Sequence, residues 1–288
     1  MLHRGFYLEG NRMRVDLQGK VVVITGASAG IGKETALLLA KKGAHVVLAA
    51  RRLEQLQAVG RDIAAFGGKS LYVSTDVAER EQVQRLLNAT LEHFGRVDVW
   101  INNAGDGLVG TVEQTTPEEM DRLFRVNYMG TFHGCQIALQ QMRRQNSGHI
   151  INVSSMAARL PLALHASYAA TKSAQWIFTE ALAAELASTP IKVSVALPSF
   201  TDTDFTRAMI HKIPDSSKSM MRGATAEQVA RKIVQCIERP RPVVMFIPVP
   251  KLTLMFFDLF PGVWRFIMRK YILIRTDGKG VPPPPTNP

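Results

Sequence analysis

Cysteine is nearly missing from this chain: Cys135 and Cys236 are the only two among 288 residues. They lie far apart and outside any CxxC spacing. That excludes a disulfide framework and a cysteine-based zinc site, and it favours a reducing, intracellular, cytoplasmic setting. Uninterrupted apolar runs of the ~18 residues a membrane-spanning helix needs are also missing, so no simple span is expected. Residues 1–20, MLHRGFYLEGNRMRVDLQGK, lack the apolar core and small-residue cleavage pattern of a secretory signal. Residues 1–18 therefore read as an extension feeding a first strand. Internal repeats are absent, and low complexity is confined to the tail GVPPPPTNP, expected to be extended and poorly ordered. Acidic residues are in deficit, 24 against 35 Lys and Arg, a formal net charge of +11. Such a surplus suits phosphates, anionic lipid or nucleic acid; with no nucleic-acid recognition motif beside it, nucleic acid is the least favoured.

What is present is an alternation of short β-branched runs and longer helical patterns. KVVVIT (20–25), HVVLAA (45–50), SLYVST (70–75), VDVWIN (97–102), HIINVS (149–154), IKVSVAL (191–197) and PVVMFI (242–247) read as strands. They are apolar throughout, as strands covered on both faces must be. Helical patterns fill 30–42, 52–66, 79–94, 117–145, 166–188 and 225–238. Thr116, Pro117 and Glu119 spell a capped helix start, Thr225 and Gln228 spell another, and Gly43 is placed to stop the first helix. Seven strands with intervening helices predict an α/β fold: one Rossmann-like, doubly wound parallel sheet, a single domain over 19–247 with an apolar, basic extension at 248–288.

The first strand runs into TGASAGIGKETALLLAKKG. Gly26, Gly30 and Gly32 there let backbone approach a diphosphate, whose charge the following helix N-terminus favours. The spacing is TGxxxGxG, so the turn reads as a dinucleotide cradle with Ser28 and Ile31 among its contacts. At the end of the second strand an NAD site would place an acid for the ribose 2′-hydroxyl. Here Ala50 is followed by Arg51 and Arg52, and guanidinium pairs bidentately with a 2′-phosphate. The expected cofactor is NADP(H), with Arg51 as principal contact.

Taken in order, TGASAGIG (25–32), DV (76–77), NNAG (102–105), VNYMG (126–130), NVSS (152–155) and YAATK (168–172) make the chain resemble a classical short-chain dehydrogenase/reductase over about 19–247. The resemblance implies that Asp76 and Val77 contact adenine and that Asn103, Ala104 and Gly105 line the nucleotide groove. It further implies that Ser155, Tyr168 and Lys172 are catalytic and that Asn127 holds a water for proton relay. Pro198 is followed by Ser199 where the family usually has glycine. Thr201 and Thr203 remain as expected cofactor contacts, Thr203 toward the nicotinamide carboxamide. Pairing of the helix bearing Tyr168 with the one before it is implied too, hence a homodimer or homotetramer.

Reducing a ketone requires a proton for the developing alkoxide. A free tyrosine, with a pKa near 10, is a poor base at neutral pH. Lys172, one turn along from Tyr168, shares its helical face and supplies positive charge, so a lowered tyrosine pKa is expected. A nucleotide-binding protein without catalysis is the alternative, and retention of both residues speaks against it. His133 and Cys135 fit no metal-ligand pattern, and no metal site is expected.

Residues 199–223 read as a long loop without helix or strand, placed to cover substrate. Phe205, Met209, Ile210, Met220 and Met221, with Leu108 and Val109, would make an adaptable apolar wall, pointing to a lipophilic alcohol or ketone. Residues 248–275 carry five basic residues and one acid among Phe, Leu, Ile and Met. Pro250 and Pro261 rule out one continuous helix. The segment suits a membrane interface, and equally a cover over the cleft or a subunit interface.

Overall fold

Alternation along the first strand sorts the core into two layers. All five residues of β1 (Val21–Thr25) are buried. Val22 and Ile24 join one apolar cluster, Val21 and Val23 the other, because successive strand side chains point to opposite faces. The computed structural model describes residues 14–160, 162–199, 201–202, 204–213, 223–246 and 251–275. After β1 come α1 (Gly30–Lys41), β2 (His45–Ala50), α2 (Leu53–Ala64), β3 (Ser70–Ser74), α3 (Arg80–Phe94) and β4 (Val99–Asn102). Next are β5 (Leu108–Val109), α4 (Pro117–Phe124), α5 (Gly130–Gln145), β6 (Gly148–Val153), α6 (Ala166–Glu185) and β7 (Ile191–Leu197). Short pieces β8 (Thr201–Asp202), α7 (Asp204–Ala208), β9 (Ile210–His211) and β10 (Ala224–Thr225) lead to α8 (Ala226–Glu238) and β11 (Val243–Met245). Two helices follow, α9 (Lys251–Leu259) and α10 (Pro261–Arg275).

Seven strands form one parallel sheet in the order β11-β7-β6-β4-β1-β2-β3, as the alternation predicts. Helices α1, α2 and α8 cover one face through Leu39, Ile63 and Ile233; α3, α5 and α6 cover the other through Leu86, Ile137 and Leu182. Each fully buried Leu or Ile stabilises by about 2 kcal/mol. Chain order reverses between β1 and β4, where an open α/β sheet presents its crevice. The register Val22 to Val99 and Ile24 to Ile101 brings Thr25 level with Asn102, the last residue of β4. Both cysteines are buried and free, and burial pushes the Cys135 thiol up to about 12, leaving it unreactive.

Local signals act as the spacing predicts: Thr116–Glu119 and Thr225–Gln228 form full capping boxes, and Gly43, at φ +82°, follows the end of α1. Two expectations are corrected. The helix expected over 117–145 is interrupted by a π-helical turn, Arg125–Met129. One extra residue in a turn leaves the apolar pattern almost unchanged, so periodicity does not reveal it. The segment 199–223 contains β8, α7 and β9. These pieces are too short for periodicity, and two are held by pairing with distant partners, β8 with β10 and β9 with β5. Met220, Met221, Pro250 and the Pro-rich tail lie outside the described residues, as does Thr203. Pro261 opens α10, the break its presence predicts.

Candidate active site

The glycine turn is shaped by close contact. Gly26 and Gly30 have φ of +66° and +54°, the left-handed region that favours glycine. A Cβ on Gly26 would lie 2.9 Å from the Cα of Ala104; one on Gly32 would overlap the Gly26 carbonyl and lie 2.7 Å from Asn103 Nδ2. The first turn of α1 has neither a side-chain cap nor an acid, so nothing in that turn offsets the partial positive charge of its N–H groups. Ser28 and Ile31 sit half-buried in this turn.

The turn is fastened to β4 by one hydroxyl. Thr25 Oγ1 accepts from the N–H groups of Asn103 and Ala104, both at 3.0 Å, and donates to the Ile101 carbonyl at 3.3 Å. Asn103 Nδ2 returns bonds to the carbonyls of Thr25 (2.9 Å) and Gly26 (3.2 Å). Thr25 was missed as a site residue by sequence reasoning, although it opens the first motif. At the end of β2, Arg51 and Arg52 are exposed beside Ala50, with no carboxylate at that position. Asp76 Oδ1 caps the Ala78 N–H at 3.0 Å, and Val77 is buried with its carbonyl against His133 Nδ1 at 3.2 Å.

Across the crevice, β6 and α6 bring the other candidates together. Ser154 is buried and donates to the Lys172 carbonyl at 2.8 Å. Ser155, by contrast, accepts from the Ala157 N–H at 3.1 Å and hydrogen-bonds the Tyr168 phenol. Lys172 Nζ donates to the Val153 carbonyl (3.1 Å) and Gln175 Oε1 (3.2 Å), and lies 5.9 Å from the Tyr168 ring centre. Gly105 sits beside it: a Cβ there would be 3.4 Å from Lys172 Nζ and 3.1 Å from Asn127 Oδ1.

Asn127 lies in the π-helical turn, fully buried. Its carboxamide is committed to the Asp106 N–H (2.8 Å), the Asp106 carbonyl (2.9 Å) and Thr171 Oγ1 (2.9 Å). Its main-chain carbonyl accepts from Thr131 Oγ1 at 2.9 Å, and Gln175 Nε2 donates to the same hydroxyl at 2.6 Å. A buried chain thus runs from Lys172 through Gln175 and Thr131 to Asn127. Sequence reasoning missed Gln175 and Thr131; the three-residue step from Lys172 to Gln175 on one helical face was the available signal.

The expected lowering of the Tyr168 pKa is not what this geometry gives. Burial pushes the phenol up to about 12, opposed in part by the hydrogen bond from Ser155. Burial likewise pushes Lys172 down to about 8. Both shifts follow from the cost of charge away from water.

The crevice is closed on its substrate side by 204–213. Phe205 lies 6.3 Å from Tyr168, ring to ring. Met209 lies directly on Gly107, where a Cβ would be 2.6 Å from its side chain. Val109, Leu164 and Ile213 form a small apolar cluster with Met209. Leu164 has φ +68°, a strained conformation for a branched residue at a cost of about 1 kcal/mol. Its carbonyl accepts from the Gly110 N–H at 2.8 Å. Lys212 pairs with Glu119 at 2.6 Å, tying the segment to α4. Pro198 is buried with its carbonyl on the Met156 N–H, and Thr201 Oγ1 donates to the Ser199 carbonyl at 2.9 Å. Among the described residues, no group of His, Cys, Asp and Glu could hold a metal ion.

A family model described as short chain dehydrogenase matches residues 20–213. An uncharacterized oxidoreductase of Staphylococcus aureus is 35% identical over 227 residues, covering 79% of this chain and 94% of that protein. One from Listeria monocytogenes is 34% identical over 232 residues, covering 79% and 94%. Among solved structures, a short chain dehydrogenase/reductase from Burkholderia phymatum in complex with NAD superposes with a TM-score of 0.78 at 28% identity, covering 86% of this chain and 96% of that one. A 3-ketoacyl-(acyl-carrier-protein) reductase from Brucella melitensis complexed with NADH gives 0.72 at 30% identity, covering 80% and 96%.

Proposed function

The chain belongs to the short-chain dehydrogenase family, and on that premise we propose that it is an NADP(H)-dependent oxidoreductase interconverting a secondary alcohol and a ketone on a lipophilic substrate. The convergence of Ser155, Tyr168 and Lys172, with Lys172 beside Gly105 in the segment whose Asn103 and Ala104 hold the glycine turn, carries this reading. The turn fits a dinucleotide, because Gly26 and Gly32 let it fold tightly against itself, Asn103 and Ala104, and the α1 N-terminus offers N–H groups to a diphosphate. Gly26, Ser28, Gly30, Ile31 and Gly32 would hold that diphosphate. Asp76, Val77, Asn103, Ala104 and Gly105 would line the groove, with Pro198, Thr201 and Thr203 on the nicotinamide side. When bound, the coenzyme supplies or accepts a hydride at the substrate carbon.

Tyr168 donates its phenolic proton to the ketone oxygen in reduction and takes it back in oxidation. At neutral pH the phenol carries its proton, and burial raises its pKa further. The Ser155 hydroxyl orients the substrate oxygen. The Lys172 ammonium opposes the charge left on Tyr168, each unit of lowered pKa being worth ~1.4 kcal/mol. Asn127, through Gln175 and Thr131, fixes the far side of Lys172.

Coenzyme choice rests on this chain's own Ala50, Arg51 and Arg52, since the two solved relatives carry NAD and NADH. Oligomerisation through α5 and α6, as a homodimer or homotetramer, is supported by exposed Phe124 and Ile177 beside the rings of Tyr128, Phe132 and Phe178. Peripheral contact of 248–275 with a membrane surface belongs to the same proposal.

The test is NADPH absorbance followed across steroids, retinoids, acyl-chain ketones and aromatic ketones. Tyr168→Phe is expected to lower kcat about a thousandfold while NADPH affinity stays within about twofold. A variant keeping a tenth of the activity would remove Tyr168 from its role.

A further inference from the structure

Seven of the fourteen large apolar side chains exposed among the described residues fall within 255–267, six on α9 and α10 and Phe260 at the junction between them. Phe256 is 44% exposed, Leu259 72%, Phe260 53% and Phe266 61%, with Met255, Val263 and Ile267 beside them. The two helices are nonetheless a packed pair. Phe257 and Trp264 meet ring to ring at 4.8 Å. Along α10, Trp264, Met268, Tyr271 and Ile272 are half-buried, the i, i+4, i+7 face turned inward, while Val263, Phe266, Ile267 and Lys270 are exposed. Arg265, Arg269 and Lys270 all lie on the exposed surface of α10.

The pair is seated on the catalytic turn. Leu254 of α9 is buried with Met156, Val195 and Leu197. Met156 follows Ser155 directly and begins the short 3₁₀ turn that Ser155 caps. Asp258, the lone acid of 251–275, pairs with Arg159 at 3.0 Å, and Arg159 lies 5.1 Å over the Trp176 ring. The acid is thus answered on the protein side, and the outward face keeps cations among its aromatics.

We propose that α9 and α10 dock this enzyme on an anionic lipid surface, and that their seat on the Met156–Arg159 turn sets the substrate cleft against the bilayer, so that a lipophilic ketone is loaded from the membrane. No described helix is long and apolar enough to cross a bilayer. A pair carrying a large apolar face flanked by Arg and Lys lies in the interface, held by apolar burial and by anionic headgroups. A second copy of the same face is disfavoured, because two-fold pairing would set Arg265, Arg269 and Lys270 near their own images. The loading step rests on the oxidoreductase reading above; the docking does not.

The experiment uses the full chain with vesicles of phosphatidylcholine alone or mixed with phosphatidylglycerol, read by flotation. Flotation is expected with the anionic vesicles, and to fall at least tenfold in the Phe256→Ser/Phe260→Ser/Phe266→Ser variant and in Arg269→Glu/Lys270→Glu. All five positions are exposed, and thermal melts matching the parent chain would show the fold intact. Unchanged flotation in both variants, or a parent chain that stays in the aqueous phase, overturns the docking. So does a dimer, seen by light scattering, that the triple variant abolishes. For loading, anionic vesicles should lower the KM of a long-chain methyl ketone severalfold in the parent chain only. Turnover of a short, water-soluble homologue should be the same in parent and variants. Equal KM values with and without vesicles overturn the loading. Lack of turnover on every ketone would instead count against the oxidoreductase reading, and flotation would still decide the docking.

Discussion

Two walls of one crevice are held in place by different kinds of bond. On the dinucleotide side, Thr25, Asn103 and the glycine turn are locked by hydrogen bonds with main-chain atoms of β1 and the end of β4. Those two strands are in parallel register, and every residue of both is buried. On the substrate side, 204–213 is held by Met209 over Gly107, by Lys212 on Glu119 and by a two-residue strand pair. The first wall is anchored to buried strands of the central sheet, where substitutions disturb the core. The second hangs on Met209, Lys212 and a two-residue ladder, a shape that a few substitutions can redraw. A fold built this way keeps its coenzyme site while its substrate changes.

The contrast can be broken most sharply at Gly32. Gly32→Ala would drive a methyl group into the Gly26 carbonyl, and overpacking of this kind typically costs about 1–3 kcal/mol. NADPH affinity, measured by fluorescence titration, should fall on the order of a hundredfold; an unchanged Kd would show that the turn yields more easily than its bonding suggests.

A second test probes the sheet that both walls share. His149 is buried at the start of β6, with Nε2 at 2.8 Å from Ser194 Oγ, and burial lowers its pKa to about 3. Unfolded, it would titrate near 6.5, so between these values the unfolded chain binds the extra proton. Stability therefore falls as pH drops through that window, by about 2 kcal/mol from pH 7 to pH 5. Urea melts at the two pH values should show the loss, and His149→Gln should remove most of it. A variant with the parent's pH slope would assign the effect to other groups.

The coenzyme contact at Arg51 should give a smaller effect. Arg51→Ala is expected to weaken NADPH about tenfold and leave NADH unchanged; parallel weakening of both would mean the guanidinium does not read the 2′-phosphate. Smallest in stability is Lys212→Ala on the substrate wall. Its partly exposed ion pair is worth under about 1 kcal/mol, so Tm should barely move while KM changes severalfold. A large Tm loss with unchanged KM would reverse the contrast.

The same division governs what could be read in advance. Strand order, the glycine turn and both capping boxes were legible, because each is written in consecutive residues. Ser155 could be separated from Ser154 by its distance from Tyr168, and the hydrogen bonds place the two serines in different company. Three features were not legible. Residue Gln175 is one helical turn from Lys172, but it reaches Thr131 only once α5 and α6 pack. The pieces within 199–223 exist through pairing with β5 and β10. The direction of the Tyr168 shift depends on how deeply α6 is covered, a property of the whole fold and not of the YAATK spacing.

The π-helical turn at Arg125–Met129 has a consequence for insertions and deletions. A chain shortened by one residue there could relax to ordinary helical winding, and everything downstream would swing by roughly 100° about the axis. Gly130 would leave Val77, against which a Cβ would already be 2.7 Å away, and Thr131 would leave the Asn127 carbonyl. Loop lengths elsewhere in the molecule can drift; here the count of amino acids is itself part of the active centre.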